Sequence, residues 1–508
     1  MGWAPTDGDV AAAHPGYAVR MSTTPGRLLS SLAGVALVAL TACGGGNNGE
    51  QVSGTCSTTA ENSAVLATAN DWYLYQDLLP GSSQYQQLVS TPFNGTSYAT
   101  TQDLLDAYTA AARAKNEDRY WSYLLTKTEA QQYFTAGQSV GFGIGLMVPA
   151  SGAYAGQLMI AQVMNGSPAA LAGFRRGDQI LSIGPSTSAM TDVQTLIQNN
   201  TIFSALSSGT TGTTRYFSVV PAGQTAAVTR SITSASYDLD PVVSTTLTTP
   251  GGKTVGYILL RTFVSTAEDR LRAAFATFQK QGLTDVVVDE RYNGGGLLST
   301  AKVLASLLHP TAGDLMYKGQ FNARHSDQNW SESFAVEANR LTAVNRVAFI
   351  TTSGTASASE LVPNALGPYL GTNLAIVGDR TYGKPVGQQS YDLGSCQDEL
   401  FLISFQLQNK NNFGGYYDGL PPAPDPANPF GGTSCAAADD LTHDFGDAAE
   451  SSTAQALAFI DGTPCTAIAP ATATTTAGTT HLSAARAAAI YPRPERPSPA
   501  QLEMPGLF

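Results

Sequence analysis

Ser357 and Lys384 are the residues whose types and setting could most directly do chemistry. Val347 to Ile350 form an apolar run followed by small and hydroxyl residues, and Leu361 to Tyr369 can continue as a helix. Ser357 therefore falls at a strand-to-helix turn. There its hydroxyl can enter a cleft while the free N–H groups of the helix start face the same space. Lys384 lies downstream in Tyr382-Gly-Lys-Pro-Val-Gly-Gln388. A lysine amine reaching that hydroxyl makes a nucleophile and its base, provided burial lowers its pKa enough to keep it neutral. Ser357-x-x-Glu360 is also a capping box, which merely satisfies the first helical N–H groups.

Other reactive residues point elsewhere. His14 and His481 lie towards the ends of the chain, and His309, His325 and His443 remain. His443-Asp444 looks like half a Ser-His-Asp triad but reads as a surface loop. Asp289 and Arg291 read as a structural ion pair or turn support. Gly294-Gly295-Gly296 follows a strand and precedes a helix, so its N–H groups can face an anion, yet it lacks the Gly-Lys-Ser/Thr ending of a phosphate loop. Cys56, Cys396, Cys435 and Cys465 suggest two disulfides with three pairings open. No Cys-x-x-Cys or Cys/His cluster suggests a metal.

The elements that must position these groups follow from pattern. Lys253 to Phe263 alternates into a strand, and Ser265-Thr-Ala-Glu268 reads as a capping box for a helix with Leu271, Phe275 and Phe278 on one face. Asp285 to Asp289 is a buried strand, and Leu297 to Leu308 a helix. Strand, helix, strand argues for a parallel α/β unit. Residues 60 to 134 read as mostly helical with aromatic core packing. From Gly141 short strands and turns take over. A helix is expected near Ala454 to Phe459, and Pro363 is expected to kink or shorten the helix after Ser357.

Composition narrows the partners. With 508 residues, two or three domains fit; charged residues are only 13%, the net charge is −12, and no basic patch appears, which excludes nucleic acid as an electrostatic partner. From Met21 the chain reads as a short polar stretch with Arg27, an apolar run Leu28 to Leu40, then Leu-Thr-Ala-Cys43 and glycines. Asp7 and Asp9 suit a signal poorly, so translation is expected to start at Met21.

Leu-Thr-Ala-Cys43 resembles the lipobox of bacterial lipoproteins, which implies lipidation at Cys43 and an exported protein anchored to a membrane in the cell envelope or periplasm. Gly141-Phe142-Gly143-Ile144, Asn165-Gly-Ser-Pro-Ala169 and Gly177-Asp-Gln-Ile-Leu-Ser-Ile183 resemble a PDZ domain. In such a domain Gly141, Phe142, Gly143 and Ile144 would bind a peptide carboxylate, and the adjoining strand edge an extended peptide.

These blocks, with Asp118 to Leu124, Asp289-x-Arg-x-Asn-x-Gly295-Gly296, Ala356-Ser-Ala-Ser-Glu360 and Gly383-Lys-x-x-x-Gln388, resemble the carboxyl-terminal processing (tail-specific) serine peptidases of the S41 family. The resemblance implies a multidomain α/β fold. It would have an N-terminal helical region, a PDZ β-sandwich or barrel-like domain, and a peptidase core of the ClpP/crotonase-like type.

It implies Ser357 as nucleophile, Lys384 as base, Gln388 as its positioner, and N–H groups of Ala358 and of Gly295 or Gly296 as oxyanion hole. No cofactor or metal is implied, and the partners are protein or peptide substrates recognised by their C-termini. Thr355 stands where serine is usual, Glu290 where an apolar residue is usual, and Gly294 where proline is often found. The expected organisation is signal and extension 1–43, tether 44–59, helical region 60–135, PDZ domain 138–235, peptidase core 240–465 and a low-complexity, loose tail 466–508. The alternative is a catalytically silent, PDZ-bearing peptide-binding lipoprotein.

Overall fold

A six-stranded sheet organises the peptidase-like half of the computed structural model, which describes residues 56–81, 100–206, 210–422, 427–469, 489–494 and 496–508. Its strands run in the order Val242–Thr248, Thr254–Leu260, Asp285–Asp289, Arg346–Thr351, Leu374–Gly378 and Thr433–Ala436. The first pair is antiparallel and the rest parallel. Such strands are near-continuously apolar because both faces are covered. Val286, Val288, Val347 and Phe349 pack on one side with helices Ser265–Lys280, Leu298–Leu308 and Ala358–Leu370. Val287, Ala348 and Ile350 pack on the other, where helix Ser451–Ile460 lies.

A second, antiparallel sheet joins Tyr123–Thr126, Val386–Asp392, Asp398–Gln408, Leu315–Phe321 and Trp330–Ser333. The stretch expected to be mostly helical thus includes helices Thr58–Trp72 and Thr101–Tyr108 but also a strand of this sheet, Tyr123–Thr126, before it ends in helical turns Lys127–Ala130 and Gln131–Thr135. A third, antiparallel sheet in the PDZ-like region runs Ile144–Met147, Leu158–Val163, Gln179–Gly184, Thr214–Val220 and Val228–Thr233. Its core includes Phe142, Ile144 and Phe217.

The disulfides are Cys56–Cys396 and Cys435–Cys465. The first joins the start of the helical region to the second sheet, and the second fastens the edge strand Thr433–Ala436. Among the described residues no helix is long and apolar enough to cross a membrane. Cys43, the signal and the start of the tether lie outside the described residues.

Three local expectations are corrected. Helix Ser265–Lys280 is capped by Val264 without a side-chain bond, because the Ser265 hydroxyl donates to Thr135 O (2.7 Å) instead. Helix Ala358–Leu370 runs unbroken through Pro363 and Pro368. The described end of the sequence is not a loose tail: Ile490 exchanges two backbone hydrogen bonds with Val148, Pro499–Glu503 is helical, and Tyr491, Met504, Leu507 and Phe508 pack into cores.

Candidate active site

Two turns at the carboxyl ends of adjacent parallel strands meet at the site, where open α/β sheets hold ligands. Glu290 to Gly296 follow Asp285–Asp289, and Thr352 to Ser357 follow Arg346–Thr351. They are stapled together. Thr355 Oγ1 donates to Glu290 O (2.8 Å), and the Ala356 N–H and Ser359 hydroxyl both donate to Asn293 O (3.0 Å each). Asn293 also donates from Nδ2 to Leu260 O (2.9 Å). The sequence reading assigned Asn293 no role, although it closes the Asp289-x-Arg-x-Asn block.

Arg291 confirms the structural ion pair. It is buried against Asp289 (2.6 Å) and Glu450 (2.9 Å), and reaches Asp439 (3.1 Å). Arg176 of the PDZ-like region donates to the Tyr292 hydroxyl (2.6 Å) and pairs with the same Asp439 (2.5 Å). Beneath the turn, Glu290 is fully buried with neither carboxyl oxygen bonded, and burial pushes it well above the usual carboxylate range.

Ser357 has φ +58° and ψ −114°, a left-handed conformation that costs a non-glycine residue about 1–3 kcal/mol. Such strain persists where surroundings over-determine it, and Glu360 supplies that constraint. Its Oε2 accepts the N–H groups of Ser357 and Lys384 (2.8 Å each). Its Oε1 accepts the Gly383 N–H (2.7 Å) and the Thr381 hydroxyl. One buried carboxylate therefore ties the serine to the loop carrying the lysine. Burial pushes Glu360 upward and these bonds pull it back; because every neighbour is a donor, the pocket is built for the ionised form.

Lys384 is 8% exposed, and its burial lowers the amine pKa. Nζ donates to Gln388 Oε1 (2.7 Å), and Gln388 Nε2 donates to Trp121 O (2.7 Å), which fixes the amide orientation. Trp121 is held by Asp118, which accepts its N–H (2.7 Å) as well as the Tyr73 and Ser122 hydroxyls. Arg119 donates to Tyr382 O and Tyr417 O. The block Asp118 to Ser122 thus buttresses the lysine loop. Among the described residues no hydrogen bond joins Lys384 Nζ to the Ser357 hydroxyl, and none joins a histidine to it: His309 pairs with Asp314, His443 with Asp440, and His325 with Asp71.

The anticipated oxyanion donors are differently disposed. Ala358 is the first helical residue, so its N–H has no intrahelical partner. Gly295 packs on the serine, where an added methyl would lie 2.8 Å from Ser357 Cβ, but its N–H is taken by Asn293 Oδ1 (3.0 Å). Gly296 lies one residue further, pairing with Phe263 in a parallel bridge. Gly294, which the sequence reading placed in the triplet but not in the oxyanion hole, donates its N–H to Glu503 O (2.8 Å). A cavity of about 40 Å³ here is lined by Lys384, Trp121, Gly294, Ala356, Leu502 and Glu503, among others.

Of the four PDZ residues, Gly143 and Ile144 both donate N–H groups to Phe508 O (2.7 and 3.1 Å). Gly141 passes close to the Phe508 carbonyl carbon, and Phe142 is buried in the core.

Residues 254–412 match the model of Peptidase family S41. This stretch holds Ser357, Lys384, Gln388 and the three glycines, and residues 159–202 match a PDZ domain. The carboxyl-terminal-processing protease of Synechocystis sp. is 30% identical over 263 residues, 52% of this chain and 57% of that protein. The carboxy-terminal processing protease CtpB of Bacillus subtilis is 28% identical over 295 residues, 57% of each. The chain thus spans a little over half the length of these curated relatives. A crystal structure from Bacteroides fragilis assigned to the S41 proteases shares the fold: TM-score 0.58, 22% identity, 78% of this chain and 97% of that one.

Proposed function

We propose that this chain is a serine endopeptidase in which Ser357 is the nucleophile and Lys384 the general base. One observation carries the reading: the main-chain N–H groups of a strained serine and of a lysine whose buried amine has a lowered pKa are held on one buried carboxylate, Glu360. The neutral amine takes the Ser357 proton as Oγ attacks a peptide carbonyl, and returns it to the leaving amine as the acyl-enzyme forms. Water then attacks the ester, giving its proton to the same amine, and the serine is regenerated. Gln388 keeps Nζ aimed; the Ala358 N–H and one N–H of the glycine turn receive the oxyanion, each worth about a hundred- to a thousandfold in rate.

The names of its relatives and the PDZ match support protein substrates, with C-termini recognised at Gly143 and Ile144. The lipobox-like Leu-Thr-Ala-Cys43 supports export and a lipid anchor. The test is cleavage of an unfolded protein by Ser357→Ala and Lys384→Ala, together with fluorophosphonate labelling of Ser357. Both variants should fold and be inactive. Wild-type turnover in Lys384→Ala would refute the dyad.

A further inference from the structure

The groove and the cleft that the proposed peptidase would offer its substrate are both filled by residues 496–508 of the same chain. Three observations meet there. Gly506 to Phe508 lie beside strand Ile144–Met147 as an added strand: the Leu146 N–H donates to Gly506 O (2.8 Å), the Phe508 N–H to Ile144 O (2.8 Å), and Gly143 and Ile144 both donate to Phe508 O. This is the geometry of peptide capture by strand addition, and the Phe508 ring joins the apolar core that includes Phe142 and Ile144.

Further upstream, Leu502, Glu503 and Pro505 line the cavity beside Lys384. Glu503 is 5% exposed there with Oε2 unbonded, and its main-chain oxygen takes the Gly294 N–H. Gly294 must lack a side chain for this approach, because a Cβ would lie 2.8 Å from Leu502 O.

We propose that residues 496–508 are a tethered pseudosubstrate, which occupies the peptide groove through Gly506-Leu507-Phe508 and closes the cleft over Lys384 through Leu502, Glu503 and Pro505. The inference rests on the peptidase reading for its effect on turnover, but not for the occupancy itself. A productive substrate must displace the segment. The chemistry of the displaced strand also names the ligand class: an extended peptide carrying small, aliphatic and aromatic residues in succession, as in Gly506-Leu507-Phe508. Because the occupant is covalently attached, it competes at an effective concentration on the order of millimolar, so a free peptide of the same sequence reaches the groove poorly.

The test uses the full chain. Leu507, buried beside Tyr133, Met164 and Tyr237, is changed to Asp to expel the segment; Phe508→Asp is an independent second variant. Binding of a fluorescein-labelled peptide of residues 499–508 is measured in a Ser357→Ala background, where cleavage plays no part, and thermal melting checks folding. Affinity at least tenfold tighter in either folded variant than in the parent is expected. With Ser357 intact, cleavage of an unfolded protein should rise about tenfold or more. Equal peptide affinity in parent and folded variants would overturn the proposal, as would variants that bind no peptide. Tighter binding with no cleavage by any chain would uphold the occupancy and remove the peptidase reading instead.

Discussion

Glu360→Gln is the change that most directly probes how the site is assembled. The carboxylate accepts four donors, two on each oxygen. Glutamine keeps the volume but replaces one oxygen by an NH2 that cannot accept. The milder orientation places that NH2 at Oε1, where the Thr381 hydroxyl oxygen can turn to receive it. The Gly383 N–H is then buried without an acceptor, a cost of about 1–3 kcal/mol. The remaining bonds fall from charge-assisted to neutral and lose roughly half their strength, about 1 kcal/mol each. The total is about 3–5 kcal/mol, concentrated between the serine turn and the lysine loop.

If that loop relaxes by about 1 Å, misalignment alone costs on the order of a hundredfold in rate. Turnover of an unfolded protein, the urea midpoint and fluorophosphonate labelling should fall together, while Glu360→Asp should fare no better because its shorter arm cannot span the four donors. A variant with kcat/KM within threefold of the parent and an unchanged urea midpoint would refute the idea that Glu360 couples nucleophile to base.

Other outcomes follow from the same geometry. Because Lys384 works as a neutral base and burial lowers its pKa, kcat/KM should rise with pH through a group titrating below 10.5, and Gln388→Ala should lower kcat more than it changes KM. Steady-state pH profiles check both. Glu290 is raised by burial, so its favourable contribution to folding is complete below pH 4.5 and is lost as pH climbs towards its folded pKa, about 1.4 kcal/mol per pH unit in between. Glu290→Leu should therefore melt higher than the parent at pH 8, by a larger margin than at pH 5. Replacing Cys56 and Cys396 together by serine should cost about 2–4 kcal/mol in denaturant unfolding.

Much of this architecture could be read directly from residue pattern. Val286 to Val288 and Val347 to Ile350 are short apolar runs bounded by turn residues, so a buried parallel pair was visible, and with it the serine turn at the strand's carboxyl end. The lysine was visible because Gly383 and Gln388 bracket it. What escaped was encoded in backbone contacts. Residues 489–494 and 496–508 are rich in Pro and look unable to build a core, yet they are held by main-chain bonds to Ile144, Leu146 and Val148 and by Met504, Leu507 and Phe508 packing into cores formed by distant residues. Gly294 was read only as part of the triplet and as a departure from proline for a like reason, since its role lies in a main-chain bond to Glu503 O and a missing Cβ. The cap at Val264 was misassigned because a residue distant in sequence, Thr135, competes for the Ser265 hydroxyl. The cysteine pairings needed three-dimensional contact across sequence separations of 340 and 30.

Arg176 has a consequence for anyone who would treat the two matched regions as interchangeable parts. Its guanidinium belongs by sequence to one region, but it bonds to Tyr292 of the other, two residues before Gly294, and to Asp439 beyond it. Excising the PDZ-like region would strip the partly buried Asp439 carboxylate of one of its two cations and leave the Tyr292 hydroxyl bonded to Asp439 alone. A chimera grafted at this boundary therefore inherits an electrostatic debt unless an arginine is supplied at the same place. The seam is better regarded as a shared keystone than as a hinge.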